Sequence, residues 1–400
     1  MRYILLLLLV APLALAENWP GWRGPRGDGS CSETGIATQW SNSNNVAWKV
    51  PILGKGHASP IVWGERIFLV ANEDEARILL CLDTNGTLKW RRTVLEAPKE
   101  RVHRYNSHAS STPVTDGKAV YTSFLDKDQM HIAAYDFSGE QLWAVRPGVF
   151  ASVHGYCSSP VLWKDSIIIN GDHDGEAYIV ALDRATGKTL WRTPRPNKTR
   201  SYCTPIIRHI DGRDQLIMSG SISVASYDPN NGKQHWVIDG PTEQFVASIV
   251  YNGKLLFMTC GFPERHMLAI RPDGHGNVTD THVAWRTKVA PSYVPSPIAI
   301  DKWFVGVSDT GVATAWEAAT GEEAWLERLS SKHWASLVTV DGLIYITSER
   351  GTTRVVRPGK TFEVLETNDL GERVYASPVV ADGKLYLRGD RHLFCIAKPD

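Results

Sequence analysis

Neither sign of charge is in surplus. Lys plus Arg number 43 and Asp plus Glu number 43, so there is no basic excess to neutralise a phosphate backbone, and nucleic acid is not an expected partner. Long apolar runs are missing after residue 16, which leaves no transmembrane span to expect in the mature chain. The six cysteines, Cys31, Cys81, Cys157, Cys203, Cys260 and Cys395, are too few for a disulfide framework in 400 residues. No CxxC or CxxCH occurs, which removes the usual zinc ribbon and c-type haem attachment. GxSxG, HExxH and phosphate-cradling glycine loops are also absent. What the chain has instead is 33 Gly, 22 Pro and 15 Trp spread along it, a turn-rich composition that favours an all-β protein.

Residues 1–16, MRYILLLLLVAPLALA, join one early Arg2 to an apolar run and a small-residue end at Ala14 and Ala16. That is the pattern of a secretory signal peptide cleaved near Ala16. A retained anchor is the weaker alternative, because the run is short and broken by Pro12. A periplasmic or secreted protein is expected.

The tryptophans set a period. Trp48, Trp90, Trp143, Trp191, Trp236, Trp285 and Trp325 recur at intervals of 40 to 53 residues. A second mark keeps step with them: HASP, SSTP, CSSP, YCTP, PSP and YASP, ending at Pro60, Pro113, Pro160, Pro205, Pro297 and Pro378, with proline-free copies around Ser248 and Ser336. Eight units result. Each reads as two hairpins, the first turning at pairs such as Asp116-Gly117, Asp341-Gly342 and Asp382-Gly383, the second at pairs such as Asn85-Gly86 or Thr186-Gly187. Eight four-stranded antiparallel units without helices predict an eight-bladed β-propeller. The last unit stops after three strands, and NNVAWKV, residues 44–50, carries an unassigned Trp48, so an N-terminal strand is expected to complete the eighth blade and close the ring. The chain divides into a signal peptide (1–16), an N-terminal extension (17–43) and one propeller (44–400). The seven tryptophans are expected to pack each blade against its neighbour.

The segment ALDRATGKTLW, Ala181 to Trp191, resembles the tryptophan-docking repeat of pyrroloquinoline quinone (PQQ) type propellers, with YDPNNGKQHW, WEAATGEEAW and LDTNGTLKW as weaker copies. ENWPGWRGPR with SSTPVTDGKAVY is similar to secreted PQQ-like repeat proteins of planctomycete-type bacteria and, more distantly, to the BamB assembly-factor family. The resemblance implies two functions from different classes. One is a quinoprotein dehydrogenase, which would hold PQQ in the channel against a Trp and a disulfide of adjacent cysteines, with a calcium ion and an Asp base. No adjacent cysteines exist, and no haem motif offers an electron exit. The other, favoured here, is a non-catalytic scaffold without a cofactor, a monomer that binds an envelope protein or peptide.

Residues just before the first strand of each unit are the binding candidates: His57, His108, His154, Tyr202, Tyr293, His333 with Trp334, and Tyr375. They either form an aromatic and imidazole collar at the channel mouth or simply fill the channel. Phe245 holds the same place before the fifth unit, and Tyr105, Asn106 and Tyr156 occupy neighbouring positions. GDHDGEA, with Asp172, Asp174 and Glu176, suggests a calcium loop but lacks the full ligand ladder, so a polar hairpin is the better reading. His103 and His108 in HRYNSH lack a third zinc ligand. Cys157 and Cys203 fall on adjacent inner strands, either bridged or serving as small apolar residues. WPGWRGPR, Trp19 to Arg26, could plug the ring, flank it or mediate a contact.

Overall fold

A computed structural model describes residues 16–398. The expected signal peptide lies outside the described residues except for Ala16. Among the described residues there are 33 strands and no helix, and they form eight sheets. In chain order the blades are 1 (61–96), 2 (114–145), 3 (161–194), 4 (206–239), 5 (250–287), 6 (298–328), 7 (338–369) and 8 (379–396 with Val46–Pro51). Val46–Pro51 pairs antiparallel with His392–Ile396, so the outer strand of blade 8 comes from the other end of the chain.

The middle strands are close to continuous apolar runs. In Arg66–Glu73 (RIFLVANE) and Ala76–Asp83 (ARILLCLD) every interior position is buried. Such strands lose water from both faces because each blade packs between two others. The outer strands meet solvent and alternate, as in Thr189–Pro194, where half-buried and exposed side chains follow one another. First hairpins turn as their sequences require. Asp341-Gly342 has φ of 54° and 70°, and Asp382-Gly383 has 51° and 68°, the left-handed pair of a type I′ turn.

Blade-to-blade docking follows one rule. Each repeat tryptophan sits opposite a small residue of its own blade, as Trp90 opposite Cys81, Trp143 opposite Ala134 and Trp48 opposite Cys395. Its indole N–H donates to a backbone carbonyl in the second-hairpin turn of the next blade: Trp48 to Thr84 (2.8 Å), Trp90 to Phe137 (2.9 Å), Trp143 to Arg184 (3.0 Å), Trp285 to Ala318 (3.0 Å). The glycine of that turn lies under the ring. Gly86 has φ +83°, and a Cβ there would stand 3.0 Å from Trp48, so glycine is needed for the backbone and for the close approach.

Blade 7 breaks the pattern, and its partner explains why. Opposite Val355, where the indole would be, stands Glu366. The third and outer strands of blade 8 come from opposite ends of the chain, so no turn joins them and an eighth tryptophan would have nothing to dock on. The extension fills this seam. Trp40, 3% exposed, stacks on Tyr345 at 6.3 Å, its backbone N–H donates to Asn368 Oδ1 at 2.7 Å, and Asn368 Nδ2 donates to the Thr38 carbonyl at 2.8 Å.

Seven blades have four strands as expected, and blade 4 has five. Gly276–Asn277, from the long connection between the third and outer strands of blade 5, adds parallel to the blade 4 edge strand Gln234–Asp239. A 12-residue excursion (271–282) reaches back far enough to cover the neighbour's free edge.

At the hub, six hydroxyls of the repeat marks each receive a backbone N–H from the preceding blade, while the Ser59 hydroxyl donates to the Ser377 carbonyl at 3.0 Å. The links run Ser59 to Thr112 (3.1 Å), Thr112 to Ser159 (3.0 Å), Ser159 to Thr204 (2.9 Å), Ser248 to Ser296 (2.9 Å), Ser296 to Ser336 (2.9 Å) and Ser336 to Ser377 (2.9 Å). Buried amides that sheet pairing cannot reach are satisfied in this way.

Candidate functional site

Ser248 is one of two places where this chain of links is interrupted, the other being Ser59. The Ser248 hydroxyl accepts the indole N–H of Trp22 at 2.9 Å. Trp22 belongs to the WPGWRGPR segment, which crosses one end of the channel and is tied to several blades. Trp19 exchanges backbone bonds with Val62, Pro20 accepts from Thr115, and the Arg23 guanidinium donates to the carbonyls of Ser296 (3.0 Å) and Pro297 (2.6 Å). Arg23 is 2% exposed, and burial pulls its pKa down to about 10. Of the three roles open to this segment, the structure places it as a plug. Trp22 lines both a cavity of about 220 Å³ on the plug's side and one of about 110 Å³ farther along the channel.

The inner cavity continues into a mouth cavity of about 600 Å³, and the two share Tyr105, Asn106, Cys157, Tyr202, Val246, Val294 and Trp334. Tyr105 sits on the loop between blades 1 and 2, yet its ring lies 4.4 Å from Trp334, before blade 7, and its hydroxyl accepts from Lys332 Nζ at 2.7 Å. Arg104 and Lys332 lie over the same ring at 4.6 and 4.8 Å. This loop therefore forms a strap over the mouth. His57 stacks on Tyr375 at 4.2 Å beside the inner cavity, and burial together with the buried Arg388 lowers its pKa to about 4.

The expected collar is largely assembled. His57, Tyr202, Trp334 and Tyr375 line the inner cavity, and His154, Tyr202, Tyr293 and Trp334 line the mouth cavity. His108 and His333 line neither. His108 Nε2 meets the Glu100 carbonyl at 2.9 Å, and His333 is fully buried with Nδ1 against the Ser331 carbonyl at 2.9 Å. The physical reason is local. The marks hold register, but each of these imidazoles is turned back on the loop that leads into its mark, His108 to Glu100 and His333 to Ser331. Phe245 and Tyr156 are buried as well. Sequence reasoning missed Arg200 and Gln244, on the connections leading into blades 4 and 5, and Phe262 and Asp309, on the short turns between the second and third strands of blades 5 and 6. No repeat mark falls on any of the four.

Three other candidates resolve differently. The acidic hairpin residues are all paired with cations: Asp172 with Arg195 at 2.9 Å, Asp174 with Arg200 at 2.7 Å, and Glu176 with Lys198. It is a polar hairpin. Among the described residues no group of three His, Cys, Asp or Glu side chains could hold a metal ion. All six cysteines are free thiols, so Cys157 and Cys203 are not bridged; Cys157 lines the channel with its pKa raised by burial to about 12, and Cys203 is buried. The donor set does not fit a quinone held with a metal ion, since Asp309 is the sole carboxylate lining the mouth and Arg265 stands 3.5 Å from it.

Eight blades around a hub, most of them locked to the next by an indole on a glycine turn, define a PQQ-like β-propeller. The chain belongs to the outer membrane protein assembly factor BamB family, whose profile matches residues 80–327. Two solved structures share the fold. The crystal structure of BamB from Moraxella catarrhalis has a TM-score of 0.63 at 12% identity, covering 88% of this chain and 99% of that one. A europium-containing methanol dehydrogenase has a TM-score of 0.66 at 13% identity, covering 93% and 89%. At such identities the likeness is one of fold. No curated protein sequence matches the chain. No helix among the described residues is long and apolar enough to cross a membrane.

Proposed function

We propose that the protein is an exported, monomeric and non-catalytic propeller that holds a peptide or an envelope protein at its open mouth. The observation that carries this reading is the form of the channel: a cup of about 600 Å³ walled by aromatic and imidazole side chains at one end, with a tryptophan plug toward the other. A volume of this size with a few polar groups among apolar walls suits an extended peptide. The walls hold no nucleophile activated by an adjacent base. Tyr293 is pushed up to about 12, mainly by burial, and the Cys157 thiol likewise, so neither ionises near neutral pH. An assembly role of the kind named for the family agrees with a binding cup. The signal-like residues 1–16 support a periplasmic or secreted location.

The test is calorimetric titration of the protein with a panel of capped pentapeptides, repeated on Trp334→Ala combined with Tyr293→Ala. Saturable binding that the double variant weakens at least about tenfold supports the proposal. A parallel titration with PQQ and calcium covers the alternative of a quinoprotein dehydrogenase. Stoichiometric uptake of the quinone with no peptide binding would overturn the scaffold.

A further inference from the structure

We infer that one corner of the mouth cavity, built by Arg200, His154, His103 and Gln244, takes the carboxylate of an acidic side chain carried by an extended peptide. This rests on the mouth being a peptide site and names what that site selects.

Three polar groups in this corner have unused hydrogen-bonding capacity. Arg200 engages Asp174 through Nη1 alone, at 2.7 Å, and its enclosed Nε has no partner. Gln244 is only 3% exposed; its amide oxygen accepts the Tyr293 hydroxyl at 3.2 Å, while no acceptor among the described residues meets its amide nitrogen. His154 offers an imidazole whose ring nitrogens bond to no described residue, edge-on to His103 at 5.5 Å. All of these can donate, and the Arg200 Nε is both enclosed and without an acceptor, which is costly unless a ligand supplies one.

The electrostatics agree with the geometry. Burial lowers the pKa of His154 and His103, and neighbouring charge lowers both further: Arg200 and Arg101, and His103 when protonated, act on His154 with Asp174 opposing, and Arg104 acts on His103. Imidazoles held neutral partly by surrounding positive charge mark a place where the field favours an anion. The one carboxylate lining the mouth, Asp309, stands 3.5 Å from Arg265, and Tyr293 feels both Arg200 and Asp309. Apart from Asn106, Cys157 and Asp309 the remaining walls are aromatic and aliphatic, with Phe262 50% exposed, so a bare inorganic anion would leave that surface unused. An acidic residue flanked by apolar ones fits both.

Two capped peptides test this, Ac-Ala-Phe-Glu-Phe-Ala-NH2 and its Gln counterpart, titrated into the full protein by calorimetry. The Glu peptide is expected to bind about tenfold or more tightly, the Arg200→Met variant to abolish the preference, and Arg200→Lys to keep part of it. The comparison on the unaltered protein needs no variant to fold. Equal affinity for the two peptides overturns the acidic preference and leaves the peptide site standing. A preference that survives in folded Arg200→Met removes Arg200 from the site. Binding of neither peptide overturns the peptide reading itself.

Discussion

At the scale of the residue, the same side chain does different amounts of work according to what lies beneath it. Trp236 is fully buried, and its N–H reaches both Gln215 Oε1 at 2.9 Å and the Pro272 carbonyl at 3.2 Å. Trp191 is half-buried and reaches only the Pro229 carbonyl, at 3.2 Å. Removing a buried indole leaves a cavity and lost transfer energy, about 3 to 5 kcal/mol. Trp236→Ala is therefore expected to lower stability by that amount, and Trp191→Ala by less, measured as shifts in urea unfolding midpoints at an unchanged slope. Negligible shifts would show that the indoles do not hold the blades together, and equal ones that burial does not set their contribution. The pairing with small residues also explains two cysteines. Cys81 and Cys395 occupy the place that Ala134 and Ala181 take elsewhere, so their role is to leave room for a ring.

At the scale of the element, what could be read in advance was whatever repeats. Turn pairs, the period of the tryptophans and the hydroxyl-proline mark all recur because each blade solves the same packing problem, and they located the blades and most of the collar. The plug, the strap and the seam occur once each. WPGWRGPR has no periodicity to reveal that Trp22 would reach Ser248, and nothing near Tyr105 shows that its loop reaches Trp334. The missing eighth tryptophan was a signal, but only the coordinates show that Trp40 fills the gap left where no turn exists. Residues 44–50 bear on this directly. Deleting them removes most of the strand paired with His392–Ile396 and with it Trp48, which docks on the turn of blade 1, so one deletion unpairs an edge and undocks two blades. The shortened protein is expected to melt at lower temperature and to be cut sooner by protease within blade 8. Unchanged resistance would mean that the seam holds without its strand.

At the scale of the whole molecule, burial of histidines ties stability to pH. His57, His131 and His333 stand in different parts of the ring, and each has its pKa lowered to about 4, first by burial and then by a nearby cation: Arg388 for His57, Arg146 for His131 and Arg354 for His333. Asp126 opposes the shift at His131, and the Ser331 carbonyl opposes it at His333. In the unfolded chain each would take up a proton near pH 6.5, while the folded chain refuses it until about pH 4. Their contribution is complete above 6.5 and is lost as pH falls toward 4, at up to about 1.4 kcal/mol per pH unit for each histidine. Turn carboxylates such as Asp136, held low mainly by the Ser138 hydroxyl, lose their contribution only at still lower pH. Asp390, raised by burial, acts with the opposite sign, but it enters every variant alike. Urea midpoints measured from pH 7 to 4 should therefore fall, and His131→Asn should fall less steeply than the unaltered protein. The same slope in both would mean that His131 is protonated in the folded ring and that the acid sensitivity arises elsewhere.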